Sequence, residues 1–248
     1  MKSSLLYVLV FFFIVPFSGM QNKITVYLIG DSTMASKAST AYPETGWGMP
    51  FAHFFDSTVV VENHAMNGRS TRTFISEGRW STVSAKLKTG DYVFIQFGHN
   101  DESKEKTDRY TAPEDYKKNL SRFITESRAK GAVPVLLTPV ARRRFDEQGK
   151  IMESHPEYSP LVHTVAKQMN APLIDLDKSS QALYQEFGME NSKLLFLQLK
   201  PGEHPNYPEG KDDNTHFNEL GARLIAQLVL EEIRNLKLEL ANRIIKKK

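Results

Sequence analysis

Apolar positions along this chain fall into two alternating patterns. Short runs rich in β-branched residues predict five strands: Ile24 to Ile29, "STVVVENHA" from Ser57, "DYVFIQFGHND" from Asp91, "AVPVLLTPV" from Ala132 and "APLIDLD" from Ala171. Between them the period lengthens. Pro113 to Lys130 places Tyr116, Leu120, Phe123, Ile124 and Ser127 at helical spacing, with Gly131 as the stop. A last helix from about Asn218 to Leu236 carries Leu220, Leu224, Ile225, Leu228 and Ile233 on one stripe. Strands alternating with helices predict an α/β protein, a three-layer α/β/α sandwich around a five-stranded, mainly parallel sheet. Four stretches lack either period: 66–73, 98–112, 142–156 and 200–216. The first three follow predicted strands and the fourth precedes the last helix. Long loops of this kind are more often functional than idle, so the chemistry is expected there.

The first twenty residues depart from this alternation. Lys2 precedes the apolar stretch Leu5 to Phe17, followed by Ser18 and Gly19. That is the layout of a secretory signal peptide, which makes 1–20 the signal and 21–248 a single domain. The alternative is a membrane anchor or a buried N-terminal segment. With 40% apolar and 25% charged residues the remainder reads as a globular domain with a sizeable core. There is no cysteine, which excludes a thiol nucleophile, thiolate metal sites and a lipid-bearing cysteine. A secreted or periplasmic bacterial protein fits these features, with no membrane association after signal cleavage. The net charge of +3 owes much to Lys246, Lys247 and Lys248. No aromatic-interleaved basic stripe argues for nucleic acid. His53, His64, His155, His163 and His204 show no metal-ligand spacing, so no metal or other cofactor is expected.

Ser32 follows the first predicted strand in "IGDST", and two readings compete for it. Ser32 or Thr33 can cap a following helix. Alternatively, Ser32 is a reacting group at the carboxyl edge of the sheet, where open α/β folds bind their ligands. The nucleophile-elbow pattern G-x-S-x-G is absent, because Thr33 and Met34 follow. Other parts of a serine esterase are present. In "DDNTHF", Asp213 stands three residues before His216, and one loop carrying both can hold the imidazole oriented to take a hydroxyl proton. Capping of the last helix is the competing reading. In "FGHNDE", Asn100 offers an amide donor at a strand end, and in "MNGRST" Gly68 lets a main-chain N–H come close to a ligand.

"GDST", the Gly68 block, "GHND" and "DNTH" stand in the order and at about the separations of the four blocks of the SGNH, or GDSL-like, hydrolases, and over residues 30 to 216 the chain resembles that family. "GDSTM", "GWG" at Gly46 to Gly48, "NGRST", "FGHNDE", "TPVARR" and "DDNTHFNELGA" narrow the resemblance to its rhamnogalacturonan acetylesterase group of secreted carbohydrate esterases. The resemblance implies a flavodoxin-like sandwich and metal-free removal of acetyl groups from pectic polysaccharide. Carried over by position, Ser32 is the nucleophile, the Ser32 N–H, Gly68 and Asn100 form the oxyanion hole, and Asp213 and His216 complete a triad. The first turn of a helix after Ser32 is expected to assist the oxyanion. Asp31 is left to brace or cap the turn.

Substrate contacts are drawn more broadly. Trp47 is a candidate for stacking on a sugar ring, and His99 for lining the pocket beside Asn100. Arg142, Arg143 and Arg144, with Arg69 or Arg72, are candidates to grip the carboxylate of an acidic sugar; a solvated charge run is the alternative. Trp80 reads as core. The partner expected is an acetylated plant cell-wall polysaccharide or oligosaccharide. An acetyl esterase of the same fold acting on xylan is the nearest rival, and a carbohydrate-binding protein on a degenerate scaffold the next.

Overall fold

The computed structural model describes residues 22–245, so the expected signal segment and the three terminal lysines lie outside it. Strands β1 (Ile24–Gly30), β2 (Val59–Asn63), β3 (Tyr92–Gln96), β4 (Val133–Leu137) and β5 (Leu173–Ile174) form one parallel sheet in the order β2-β1-β3-β4-β5. The expected sandwich is therefore present. The chain steps from β1 to β2 in one direction and returns past β1 to β3, so strand order reverses between β1 and β3. A crevice opens at the carboxyl ends of such a pair.

Because successive strand residues face opposite sides, each strand serves two cores. Val26, Leu28, Phe94, Val135 and Leu137 face helices α1 (Gly48–Phe51), α6 (Leu176–Asn191) and α7 (Glu219–Asn235). Tyr27, Ile29, Val93, Ile95 and Leu136 face α2 (Thr71–Ser76), α3 (Arg79–Ser84), α4 (Pro113–Ala129) and α5 (Tyr158–Gln168). Trp80 is in this second core, donating its Nε1–H to Glu126 over 2.5 Å.

Three expectations need correction. The buried stripe of α7 is Ala222, Ile225, Ala226, Val229, Leu230 and Ile233, whereas Leu220 is 48% exposed. Small residues allow the close approach, so the packed face is rotated towards the alanines and away from the larger leucines. The fifth strand is only two residues long, because Asp175 accepts from the Lys178 N–H and caps α6. Finally, Asp213 and His216 are not on a loop. They lie on β7 (Lys211–Phe217), which pairs antiparallel with β6 (Phe196–Leu199) in a second, two-stranded sheet. Six of the seven β7 residues are polar or charged, which hides the strand from any apolar pattern.

Asn218 joins this hairpin to α7. Its Oδ1 caps the helix by accepting from the Gly221 N–H, while its Nδ2 donates to the Leu194 and Phe196 carbonyls. Asn218→Ala is expected to destabilise the fold by about 1–3 kcal/mol, the loss of a cap together with the bonds to the Leu194 and Phe196 carbonyls. A lowered denaturation midpoint with an unchanged slope in urea checks it.

Candidate active site

The turn that carries Ser32 begins where β1 ends. Asp31 closes a single helical turn, its carbonyl accepting from the N–H groups of Met34 and Ala35 at 3.3 and 3.1 Å. The turn is not continued into a helix, so the expected helical contribution to the oxyanion is missing and the capping reading of Ser32 fails with it. Asp31 braces the turn, Oδ1 accepting from the Thr33 N–H (3.0 Å) and hydroxyl (2.8 Å). A chain of donors reaches this point from the core. Trp47 Nε1–H donates to Gln96 Oε1 at 2.6 Å, and Gln96 Nε2–H donates to the Thr33 hydroxyl at 3.2 Å. Trp47 is thus fully buried beside Phe51 and unavailable to a sugar ring. Gln96, which sequence reading passed over, was signalled by being the one polar residue in the buried run "VFIQF".

Ser32 Oγ lies 2.9 Å from His216 Nε2, and His216 Nδ1 lies 2.8 Å from Asp213 Oδ2. Asp213 Oδ1 accepts from the N–H groups of Thr215 (2.8 Å) and His216 (2.9 Å). Burial acts to raise the Asp213 pKa, but the hydrogen bonds from His216 and these amides prevail and hold it well below the usual carboxylate range. An ionised Asp213 accepts the Nδ1–H, which leaves Nε2 free to accept from the Ser32 hydroxyl.

Three loops at the carboxyl ends of β1, β2 and β3 converge here. Gly68, after β2, has φ +75°, and neither its N–H nor that of Ser32 has an acceptor among the described residues. Asn100, after β3, donates one Nδ2 hydrogen to the Arg69 carbonyl at 3.1 Å, leaving the second to a ligand. The arrangement suits nucleophilic attack on a carbonyl with an oxyanion held by N–H donors. Among the described residues no cluster of His, Asp or Glu forms that could hold a metal ion.

The other expected contacts separate. His99 is buried, its ring set edge-on to His155 at 4.5 Å, so it packs behind the site instead of lining its mouth. Burial moves its pKa well down. Arg143 is 9% exposed and bonded within the protein, which removes it from substrate binding. Arg142 Nη1 is paired with Glu102 at 2.7 Å, and Arg69 Nε with Glu77 at 3.0 Å. Arg72 donates to the Thr107 carbonyl at 2.6 Å. Arg144 is exposed with no ion pair among the described residues, and borders with Lys104 and Arg142 an open hollow of about 420 Å³.

A parallel α/β sandwich with a Ser–His–Asp relay at the strand-order reversal, and no G-x-S-x-G elbow, is the architecture of the SGNH class of hydrolases. Residues 28–224 match the GDSL-like Lipase/Acylhydrolase family. The chain is 42% identical over 226 residues, 91% of its length and 96% of the relative's, to rhamnogalacturonan acetylesterase RhgT of Bacillus subtilis. It is 37% identical over 224 residues, 90% and 98% of the two lengths, to the probable rhamnogalacturonan acetylesterase YesY of the same organism. The solved structure of B. subtilis protein YxiM superposes with a TM-score of 0.76 at 27% identity, covering 88% of this chain and 58% of that one. The chain belongs to the GDSL-like lipase/acylhydrolase family and is a carboxylic ester hydrolase.

Asp101 gives the site a pH signature. Its Oδ1 accepts from the Thr71 N–H and hydroxyl at 2.9 and 2.6 Å, while Oδ2 is buried without a partner. Burial raises its pKa to about 7 from 3.8. The folded protein therefore binds this proton more tightly than the unfolded chain, and the resulting stability is present below pH 3.8 and lost as pH rises through about 7. Asp101→Asn removes the titration. The melting temperature of the parent should fall relative to that of Asp101→Asn between pH 5 and about 8, and parallel curves would show that Asp101 does not titrate there.

Proposed function

We propose that this protein is an exported acetylesterase that removes acetyl groups from pectic polysaccharide, through an acetyl-Ser32 intermediate. The Ser32–His216–Asp213 relay beside the unpaired N–H groups of Ser32 and Gly68 is the observation that carries the chemistry. The similarity to RhgT, over nearly the full length of both chains, supports the substrate class. Structures of acetyl xylan esterases from Geobacillus stearothermophilus resemble the chain at 15% identity and TM-score 0.59, a likeness of fold alone.

Ser32 Oγ gives its proton to His216 Nε2 and bonds to the acetyl carbon. The carbonyl π pair moves onto oxygen, which faces the Ser32 and Gly68 N–H groups and Asn100 Nδ2. Collapse breaks the bond to the sugar oxygen, which takes the proton from Nε2. Water then loses a proton to Nε2 and attacks acetyl-Ser32, and the second collapse frees acetate and returns the proton to Oγ. Asp213 stabilises the imidazolium in both halves.

Ser32→Ala is expected to abolish acetate release while leaving the folding stability within about 1 kcal/mol of the parent's, because only one part-buried hydroxyl is lost. Acetate released from acetylated rhamnogalacturonan, homogalacturonan and xylan, assayed in parallel, tests the substrate. Preference for xylan would replace the pectic reading, and turnover by folded Ser32→Ala would remove the mechanism.

Arg144 is the unpaired cation of the arginine run, and a galacturonate carboxylate is a suitable partner for it. Arg144→Ala should raise KM for acetylated pectic fragments by about 1.5- to 5-fold, the scale of one exposed ion pair. KM for p-nitrophenyl acetate should stay unchanged, and added salt should weaken only the pectic binding.

A further inference from the structure

We propose that Arg143 is a positioning residue for the catalytic strand, holding Asn214, and through it Asp213 and His216, at the distance from Ser32 that proton transfer requires. The proposal rests on the esterase reading above and adds a residue that touches no reacting atom.

Arg143 follows β4 and holds Asn214 twice. Its backbone N–H donates to the Asn214 carbonyl at 2.8 Å, and its Nη1 donates to Asn214 Oδ1 at 2.7 Å. Asn214 stands between Asp213 and His216 on β7, so fixing both of its oxygens fixes the backbone on which the acid and base are mounted. The rest of the guanidinium is also committed. Nε donates to Ser192 Oγ at 2.9 Å and Nη2 to the Met189 carbonyl. Met189 lies in the last turn of α6 and Ser192 opens the 3₁₀ turn that leads into β6. One planar side chain thereby joins the loop after β4, the entry to β6 and the middle of β7.

The partners are unusual for a buried cation. All three side-chain acceptors are neutral, the Phe145 ring lies 5.6 Å from the guanidinium, and no carboxylate pairs with it among the described residues. A guanidinium that is 9% exposed and feels carboxylates only at a distance, from Glu190 and Asp212, is costly to desolvate and is weak support for stability. What it supplies is geometry. Its rigid fork of donors reaches three acceptors on separate segments at once, which a lysine ammonium on a flexible stem does not reproduce. The hairpin needs such an anchor because β6 and β7 pair only with each other and lie outside the five-stranded sheet.

The test compares the parent with Arg143→Ala, Arg143→Lys, Asn214→Ala and the Arg143→Ala/Asn214→Ala double variant. Substrates are p-nitrophenyl acetate and acetylated rhamnogalacturonan fragments, assayed well below each melting temperature. Expected for Arg143→Ala is a fall in kcat of about 10²-fold on both substrates, the scale of a misplaced catalytic group, with KM little changed. Labelling of Ser32 by a fluorophosphonate should slow in parallel. Arg143→Lys should recover part of the loss, and the double variant should be little worse than Arg143→Ala alone, since the contact between the two is already gone and Asn214 Oδ1 then gives up only a 3.2 Å bond from Gln198 Nε2. Two outcomes overturn the proposal: kcat and labelling unchanged in a less stable protein, or a KM increase confined to the acidic fragments. If Arg143→Ala does not fold, Asn214→Ala decides by the same criteria, because it leaves the guanidinium its other acceptors. A parent inert to both esters and to the label would overturn the esterase reading and the proposal with it, whereas an active parent matched by its variants overturns the proposal alone.

Discussion

The chemistry proposed for this protein depends on a 2.9 Å contact between Ser32 Oγ and His216 Nε2, two groups 184 residues apart, one on the turn after β1 and the other on β7. Ser32 stands on the turn that leaves β1 of the parallel sheet, whereas His216 arrives on a hairpin that shares no strand pairing with that sheet. Such a contact is only as reliable as the fastening between the two bodies. Four attachments converge on the hairpin. The Thr45 N–H donates to the Phe217 carbonyl at 2.8 Å, Arg143 grips Asn214, Asn218 ties the hairpin to α7, and Phe196 packs against Tyr184 of α6 with ring centroids 5.1 Å apart. Trp47 works on the serine side, two residues from Thr45, so the "GWG" segment secures both partners of the contact. A tryptophan with this task has no face left for carbohydrate.

The five parallel strands, α4, α7 and the strand-end placement of Ser32, Gly68 and Asn100 were legible in sequence, because each rests on local regularity or on a short block of residues that chemistry constrains. The β6–β7 pairing was not. β7 is almost wholly polar and carries Asp213 and His216 where a strand would normally advertise apolar alternation. Trp47, His99 and Arg143 were misread for a related reason. Each has a side chain able to contact a sugar, and side-chain type alone does not say whether its partner is solvent, ligand or the protein's own backbone. Gln96 shows the reverse case, in which a polar residue inside an apolar run did announce a buried partner.

Behind the serine the protein tolerates polarity that a core would ordinarily expel. Asp31 Oδ2, Asp101 Oδ2 and both ring nitrogens of His99 are buried without hydrogen bonds, close to the two loops that supply Ser32 and Asn100. His155 Nδ1 lies 2.9 Å from Glu102 and its Nε2 lies 3.0 Å from the Val140 carbonyl, which fastens the loop after β3 to that after β4. Unsatisfied buried groups are expensive, and they concentrate where function rather than stability sets the side chain.

The arginine run shows how one short motif is divided by backbone geometry. Arg142 faces the loop after β3 and is neutralised by Glu102, Arg143 points into the protein and binds Asn214, and Arg144 faces water. In an extended segment successive side chains alternate direction, so three identical residues cannot share one task. A carboxylate-binding site drawn from all three would require a curl of the chain that the bonds of Arg142 N–H to Ser154 Oγ and Arg143 N–H to Asn214 O forbid. The middle arginine is the one that geometry turns inward, and inward at this point of the fold means towards the strand that carries Asp213 and His216.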